Sequence, residues 1–171
     1  MTEKQAEYTV KPIQTTYAGY RFRSRLESRW AVFFDTLHIK WEYEPEGFQT
    51  KYGFYLPDFY LSEIGCYAEV KPQYFTVAQY QRCAVLPRGC LLLDQPHPTA
   101  RPYYLAGCSE SYSPYTPEPD SGFGWFVFIM SQDKRRPWLM FGEDYAKSFR
   151  RFELEAENAA KAARFEYGEI G

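Results

Sequence analysis

Apolar residues recur along this chain with two different periods, and the switches between them mark out its elements. From Arg25 to about Leu37, Leu26, Trp30, Phe33, Phe34 and Leu37 recur as apolar residues. That spacing (i, i+4, i+7, i+8, i+11) places them in one stripe of a helix. Ser24 and Glu27 stand three apart at its start, the spacing of a capping box, and His38 ends it, where a cation complements the helix dipole. Ile39 to Glu44 then alternates apolar and charged residues, which predicts a strand closed by Pro45. Glu46 to Tyr52 reads as a connecting hairpin, its turn near Gln49 to Gly53. Leu56 to Leu61 and Cys66 to Lys71 are apolar and aromatic, with Ser62-Glu63-Ile64-Gly65 as the turn between two further strands. Phe75 to Leu86 returns to helical spacing through Val77, Tyr80 and Ala84 and stops at Pro87-Arg88-Gly89. Cys90-Leu91-Leu92-Leu93 is a continuous apolar run, the pattern of a strand buried on both faces.

Beyond Asp94 the pattern changes. Tyr103 to Leu105 predicts a short strand, and the Ser/Pro-rich stretch 109–122 predicts a mobile loop. Trp125 to Met130 and Trp138 to Phe141 predict an added antiparallel hairpin with Lys134-Arg135-Arg136 at its turn. From about Glu143 to Phe165 the residues Tyr145, Phe149, Phe152, Ala156, Ala159, Ala160 and Ala163 form a narrow helical stripe. Its small residues suit close packing on the body of the protein or on a second copy, so a homodimer is one expectation. Residues 1–16 are polar and read as a flexible arm. The whole is expected to be one α/β domain: a mixed sheet with helices on its faces, 17–94 as its core, 95–142 as an appended β region and 143–171 as a C-terminal helix.

Composition narrows the class. Hydrophobic residues make up 45% of the 171 and aromatics 20%, which excludes a disordered chain and allows a real core. The net charge of −2 offers no global attraction to nucleic acid, so any such contact must be local. The four cysteines, Cys66, Cys83, Cys90 and Cys108, have no metal-binding spacing and are expected to be reduced. No apolar signal core or membrane-length apolar run is present, so a soluble, cytoplasmic protein is expected. His97 lies among prolines and carries no chemistry.

The candidate chemistry sits on the hairpin of Leu56 to Lys71. A turn closing symmetrically around Glu63-Ile64 sets Asp58 directly opposite Glu69 and Tyr60 opposite Tyr67. Side chains so placed have Cβ atoms about 4.5–5.5 Å apart, and like charges there destabilise a sheet. Lys71, two residues past Glu69, projects from the same face. Two carboxylates in that position share a proton or bind a cation such as Mg²⁺, and an ammonium beside them orients a water or stabilises charge on a phosphate. The plainer alternative is a turn-capping Asp58 and a surface Glu69–Lys71 pair. A basic segment lies upstream: between Lys11 and Lys40 there are six basic residues against two acidic ones. Arg21, Arg23, Arg25 and Arg29 are interleaved there with Tyr17, Tyr20 and Phe22, compatible with nucleic-acid phosphates or, more simply, with salt bridges to Glu42, Glu44 or Glu46. Gln79 offers a further polar contact from the second helix.

Pro57-Asp58, ten intervening residues and Glu69-Val70-Lys71 on an apolar strand resemble the PD-(D/E)XK nuclease superfamily. The order helix, three strands, helix, strand from Ser24 to Leu93 resembles its restriction-endonuclease-like αβββαβ core. The resemblance implies a Mg²⁺-dependent deoxyribonuclease, with Mn²⁺ as a substitute and DNA as partner, of a kind found in phage and mobile elements. It implies that Asp58 and Glu69 hold the metal with the Val70 carbonyl, that Glu27 completes the site directly or through water, and that Lys71 positions the attacking water. Arg21, Arg23, Arg25, Arg29 and Gln79 would then contact the nucleic acid. The competing expectation is a catalytically inactive module of this fold that binds nucleic acid or a protein partner.

Overall fold

The computed structural model describes residues 12–72, 75–93, 103–105, 123–130, 137–141 and 150–165. Eleven strands and three helices lie among them. The chain starts with an antiparallel hairpin, β1 (Thr15–Tyr17) and β2 (Tyr20–Phe22), which leads into α1 (Arg25–Thr36). Strand β3 (Trp41–Tyr43) follows, then a small separate hairpin of β4 (Phe48–Thr50) and β5 (Gly53–Tyr55). Strands β6 (Phe59–Leu61) and β7 (Cys66–Val70) come next, then α2 (Val77–Ala84) and β8 (Cys90–Leu93). Strands β9 (Tyr103–Leu105), β10 (Phe123–Met130) and β11 (Pro137–Phe141) precede α3 (Arg150–Ala162).

Seven strands form one mixed sheet in the order β11-β10-β9-β8-β7-β6-β3. The β7–β8 pair is parallel and is joined through α2, whereas the other neighbours run antiparallel. The fold is therefore a mixed α and β architecture, and the hairpin β10–β11 extends the main sheet through β9.

The apolar stripe of α1 does what its spacing demands. Trp30, Phe33, Phe34 and Leu37 are buried on one face of the sheet with Phe59, Leu61, Ala68 and Leu91, and Ala156 and Ala160 of α3 close the same cluster. Burying each large side chain of this kind contributes about 1.5–3 kcal/mol relative to exposure. Ala156 and Ala160 of α3 are thus covered within the chain, where small residues let two helices approach closely. On the other face of the sheet Tyr67, Cys90 and Leu92 pack with Tyr80, Cys83 and Ala84 of α2, and Tyr55 of β5 joins them.

Three expectations need adjusting. The polar start is not all a free arm: Thr15 and Thr16 pair with Phe22 and Arg21, and Thr15 is buried. Ala18 and Gly19 have φ of 50° and 81°, the positive values that a tight two-residue turn requires. Phe22, read as a possible nucleic-acid contact, is fully buried and its ring lies 4.5 Å from that of Tyr43. His38 lies past the last helical turn with φ 56°, its N–H donating to the Asp35 carbonyl, in the left-handed position that often ends a helix. The loop 109–122, the basic turn 134–136, His97, Cys108 and Tyr145 and Phe149 of the predicted stripe lie outside the described residues.

Candidate functional site

The hairpin of β6 and β7 has the register expected from its turn: Phe59 faces Ala68, Tyr60 faces Tyr67 and Leu61 faces Cys66. The next pair outward is Asp58 and Glu69. Both are almost completely buried, at 4% exposure each. Asp58 lies just before β6, and its main chain is held by the Glu44 N–H, which donates to the Asp58 carbonyl at 2.9 Å. Its side chain reaches across the hairpin: the Val70 N–H donates to Oδ2 at 2.8 Å. Glu69 sits in the middle of the sheet because β7 pairs on both sides, with β6 and with β8, where it faces Leu92.

Lys71 answers both carboxylates. Its Nζ lies 2.5 Å from Glu69 Oε1 and 3.9 Å from Asp58 Oδ2, and it also donates to the Val70 carbonyl at 3.1 Å. Burial works against the ammonium, but Glu69 and Asp58 outweigh it, so the Lys71 pKa is raised and the group stays charged. Burial pushes the Asp58 carboxyl well above the usual carboxylate range and the charge of Glu69 adds to this, while Lys71 and the Val70 N–H oppose it. Glu69 Oε2 is buried and has no hydrogen-bond partner among the described residues.

The start of α1 forms the other wall. Ser24 caps the helix, its Oγ accepting from the Glu27 N–H at 3.2 Å. The Glu27 side chain departs from the usual capping box by reaching one residue further back, where Oε2 accepts from the Arg23 N–H at 3.0 Å. The same oxygen accepts from the Tyr43 hydroxyl at 2.6 Å, and Oε1 accepts from the Ser24 hydroxyl at 2.8 Å. Glu27 is therefore tied to the helix start and β3. Among the described residues no group of three or more His, Cys, Asp or Glu side chains is placed to hold a metal ion.

Of the four arginines, Arg23 reaches the carboxylates: its guanidinium lies 3.4 Å from Asp58 Oδ1 and pairs with Glu44. Arg21 points elsewhere and donates to Gln14. Arg25 and Arg29 line a separate cleft against the end of α3. Gln79 is engaged at its own helix, accepting from the Thr76 N–H at 2.9 Å in the capping box of α2. The Arg23–Glu44 pair is the plainer salt bridge expected of the arginines, whereas Tyr43 is the neighbour that pattern reading passes over. The alternation of β3 marks Tyr43 only as a strand residue, and its role depends on where the sheet sets that strand relative to α1.

A buried carboxylate oxygen without a donor is costly, and its common remedies are an ordered water or a cation. Glu69 Oε2, Asp58 and the Val70 carbonyl offer oxygens only, the donor type that a hard divalent cation takes. No protein-family model, curated protein or solved structure matches the chain.

Proposed function

We propose that this protein is a metal-dependent nuclease that hydrolyses DNA phosphodiester bonds on a restriction-endonuclease-like core. The observation that carries this reading is the convergence of Asp58, Glu69 and Lys71 on one buried end of the hairpin, with Glu69 Oε2 lacking a donor. A purely structural sheet position gains nothing from two facing carboxylates, which repel.

Asp58 and Glu69, with the Val70 carbonyl, would hold Mg²⁺ or Mn²⁺. When bound, such an ion supplies Lewis acidity toward a phosphate oxygen and lowers the pKa of water. Lys71 holds its proton because both carboxylates face it. Held beside both carboxylates, its ammonium would orient the attacking water and stabilise the charge that develops on phosphorus-bound oxygen. Arg23 keeps Asp58 in place from the solvent side and is positioned to exchange Glu44 for a phosphate. Glu27 acts through the chain: by holding the Arg23 N–H and the Tyr43 hydroxyl it fixes the start of α1 against the hairpin.

The test is cleavage of plasmid and single-stranded DNA with Mg²⁺, Mn²⁺ or EDTA. Metal-dependent cutting by the wild type is expected, with losses of about 100-fold or more in Asp58→Ala and Lys71→Ala. Far-UV circular dichroism should report a retained fold in both variants. Full activity in Glu69→Ala would overturn the assignment. Retarded DNA without cutting under any metal would leave a binding module instead.

A further inference from the structure

We infer that Tyr20 and Trp41 form a stacking platform for an unpaired nucleobase, so that the site at Asp58, Glu69 and Lys71 takes single-stranded DNA. Aromatic rings lie in two layers along β3. The inner layer is core, with Phe22 and Phe59 fully buried. Trp41 rests on it, its ring 5.8 Å from each of those two. Tyr20 lies outermost, 42% exposed, with its ring 5.0 Å from that of Trp41. Both line one cavity of about 570 Å³ by the end of α1, together with Asp35, His38, Lys40 and Ser62. The indole is anchored by its polar edge, Nε1 donating to Asp35 Oδ1 at 2.8 Å. A ring fixed in this way loses little freedom when a base stacks against it.

The charge of the cavity selects a base over a phosphate. Asp35 repels a phosphate, but its carboxylate can accept further hydrogen bonds. Each oxygen has about two lone-pair directions, and the bonds from Trp41 and the Tyr17 hydroxyl use one on each. The exocyclic amino groups of adenine, cytosine and guanine are matching donors. The platform is joined to the carboxylates by direct contacts. Tyr43, two residues past Trp41 on β3, has its ring 6.4 Å from that of Tyr20 and faces Phe59, the residue after Asp58. Its hydroxyl accepts from the Arg23 N–H at 3.2 Å, and the Arg23 guanidinium lies 3.4 Å from Asp58 Oδ1. In a duplex each base is covered on both faces by its neighbours, whereas an unpaired base offers its face to an aromatic ring. Naming single strands as the substrate rests on the nuclease reading, but the stacking itself does not require hydrolysis.

The experiment is fluorescence anisotropy of a labelled single strand and of its duplex in EDTA, where no cleavage intervenes, at several salt concentrations. Wild type is compared with Tyr20→Leu, which removes the aromatic face, and Tyr20→Phe, which keeps it; circular dichroism checks both folds. Wild type should bind the single strand more tightly than the duplex. Tyr20→Leu should weaken single-strand binding about tenfold and erase that preference, while Tyr20→Phe binds as the wild type does. The slope of log K against log salt should stay the same in all three, because no phosphate contact is lost. Unchanged affinity in Tyr20→Leu would overturn the proposal, as would a wild type that prefers the duplex or binds neither. Equal losses in Tyr20→Leu and Tyr20→Phe would also overturn it, by assigning the contact to the hydroxyl. If Tyr20→Leu binds as the wild type does while Asp58→Ala abolishes cutting, the platform fails and the nuclease reading stands. If Tyr20→Leu loses single-strand affinity but the wild type never cuts in Mg²⁺ or Mn²⁺, the nuclease reading fails and the platform stands.

Discussion

On the nuclease reading, function and stability pull apart at a single residue, Asp58. It is buried opposite another carboxylate, and burial together with Glu69 raises its pKa despite Lys71 and the Val70 N–H. Asp58→Asn removes the repulsion yet keeps an oxygen to accept from Val70 N–H. In EDTA at neutral pH this variant should therefore melt higher than wild type, by about 2–4 °C for a gain of about 1 kcal/mol; on the nuclease reading it would lose cleavage in Mg²⁺. A lower melting temperature would mean that Lys71 already compensates both carboxylates and that Asp58 contributes as a charge. The facing of Asp58 and Glu69 was legible in the sequence because a symmetric turn at Glu63-Ile64 fixes every pair beyond it, and Tyr60 does face Tyr67. The fate of Glu27 was not legible. Its spacing from Ser24 announces a cap, but whether its carboxylate folds back on the helix or turns to the sheet depends on the Tyr43 hydroxyl, which arrives from a strand sixteen residues later.

At the scale of elements, the start of α1 is a hinge between cap and site, since one short run supplies Ser24 to the helix and Arg23 to Asp58. Ser24→Ala removes the acceptor of the Glu27 N–H and one donor to the Glu27 carboxylate. The expected loss is about 2 kcal/mol in urea unfolding, toward the upper end of cap effects because both bonds go together. The nuclease reading adds a second expectation: cleavage falls more than stability explains, because Arg23 and Glu27 loosen jointly. A variant that loses stability with unchanged activity would confine Glu27 to capping. Helices were the more legible elements, since the stripe of Trp30, Phe33, Phe34 and Leu37 can only be buried by helical spacing. The hairpin β1–β2 was not, because two strands of three residues are too short to show alternation above the surrounding polar residues. Gly19, between Thr15-Thr16-Tyr17 and Tyr20-Arg21-Phe22, was its available signal.

Across the whole molecule, buried hydroxyl, thiol and ammonium groups make alkaline pH the direction in which the fold is vulnerable. Tyr17 is pushed up to about 12 by burial and then by its hydrogen bond and proximity to Asp35. Tyr43 and Tyr67 are also raised, first by burial and then by bonds to Glu27 and Glu46, and burial pushes the Cys66 thiol up to about 12. Lys71 is raised as well, its two carboxylates outweighing burial. All five hold a proton more tightly in the native protein than in the unfolded chain. Between the pH where the free groups titrate, about 8.5 for the thiol and about 10 for tyrosine and lysine, and the native values, the unfolded state binds fewer protons than the native one. Stability then falls as pH rises, and the contribution of these groups is fully present below that range. Urea unfolding at pH 8, 10 and 11 should show the decline, and Tyr17→Phe should make it shallower by up to one proton because it removes one of the responsible groups. The variant also costs the bond to Asp35, so its stability at pH 8 should be lower than wild type even as its pH dependence weakens. An identical slope in the two proteins would mean that Tyr17 ionises as freely in the native fold as in the unfolded chain, and that its hydroxyl is not held by Asp35 in solution.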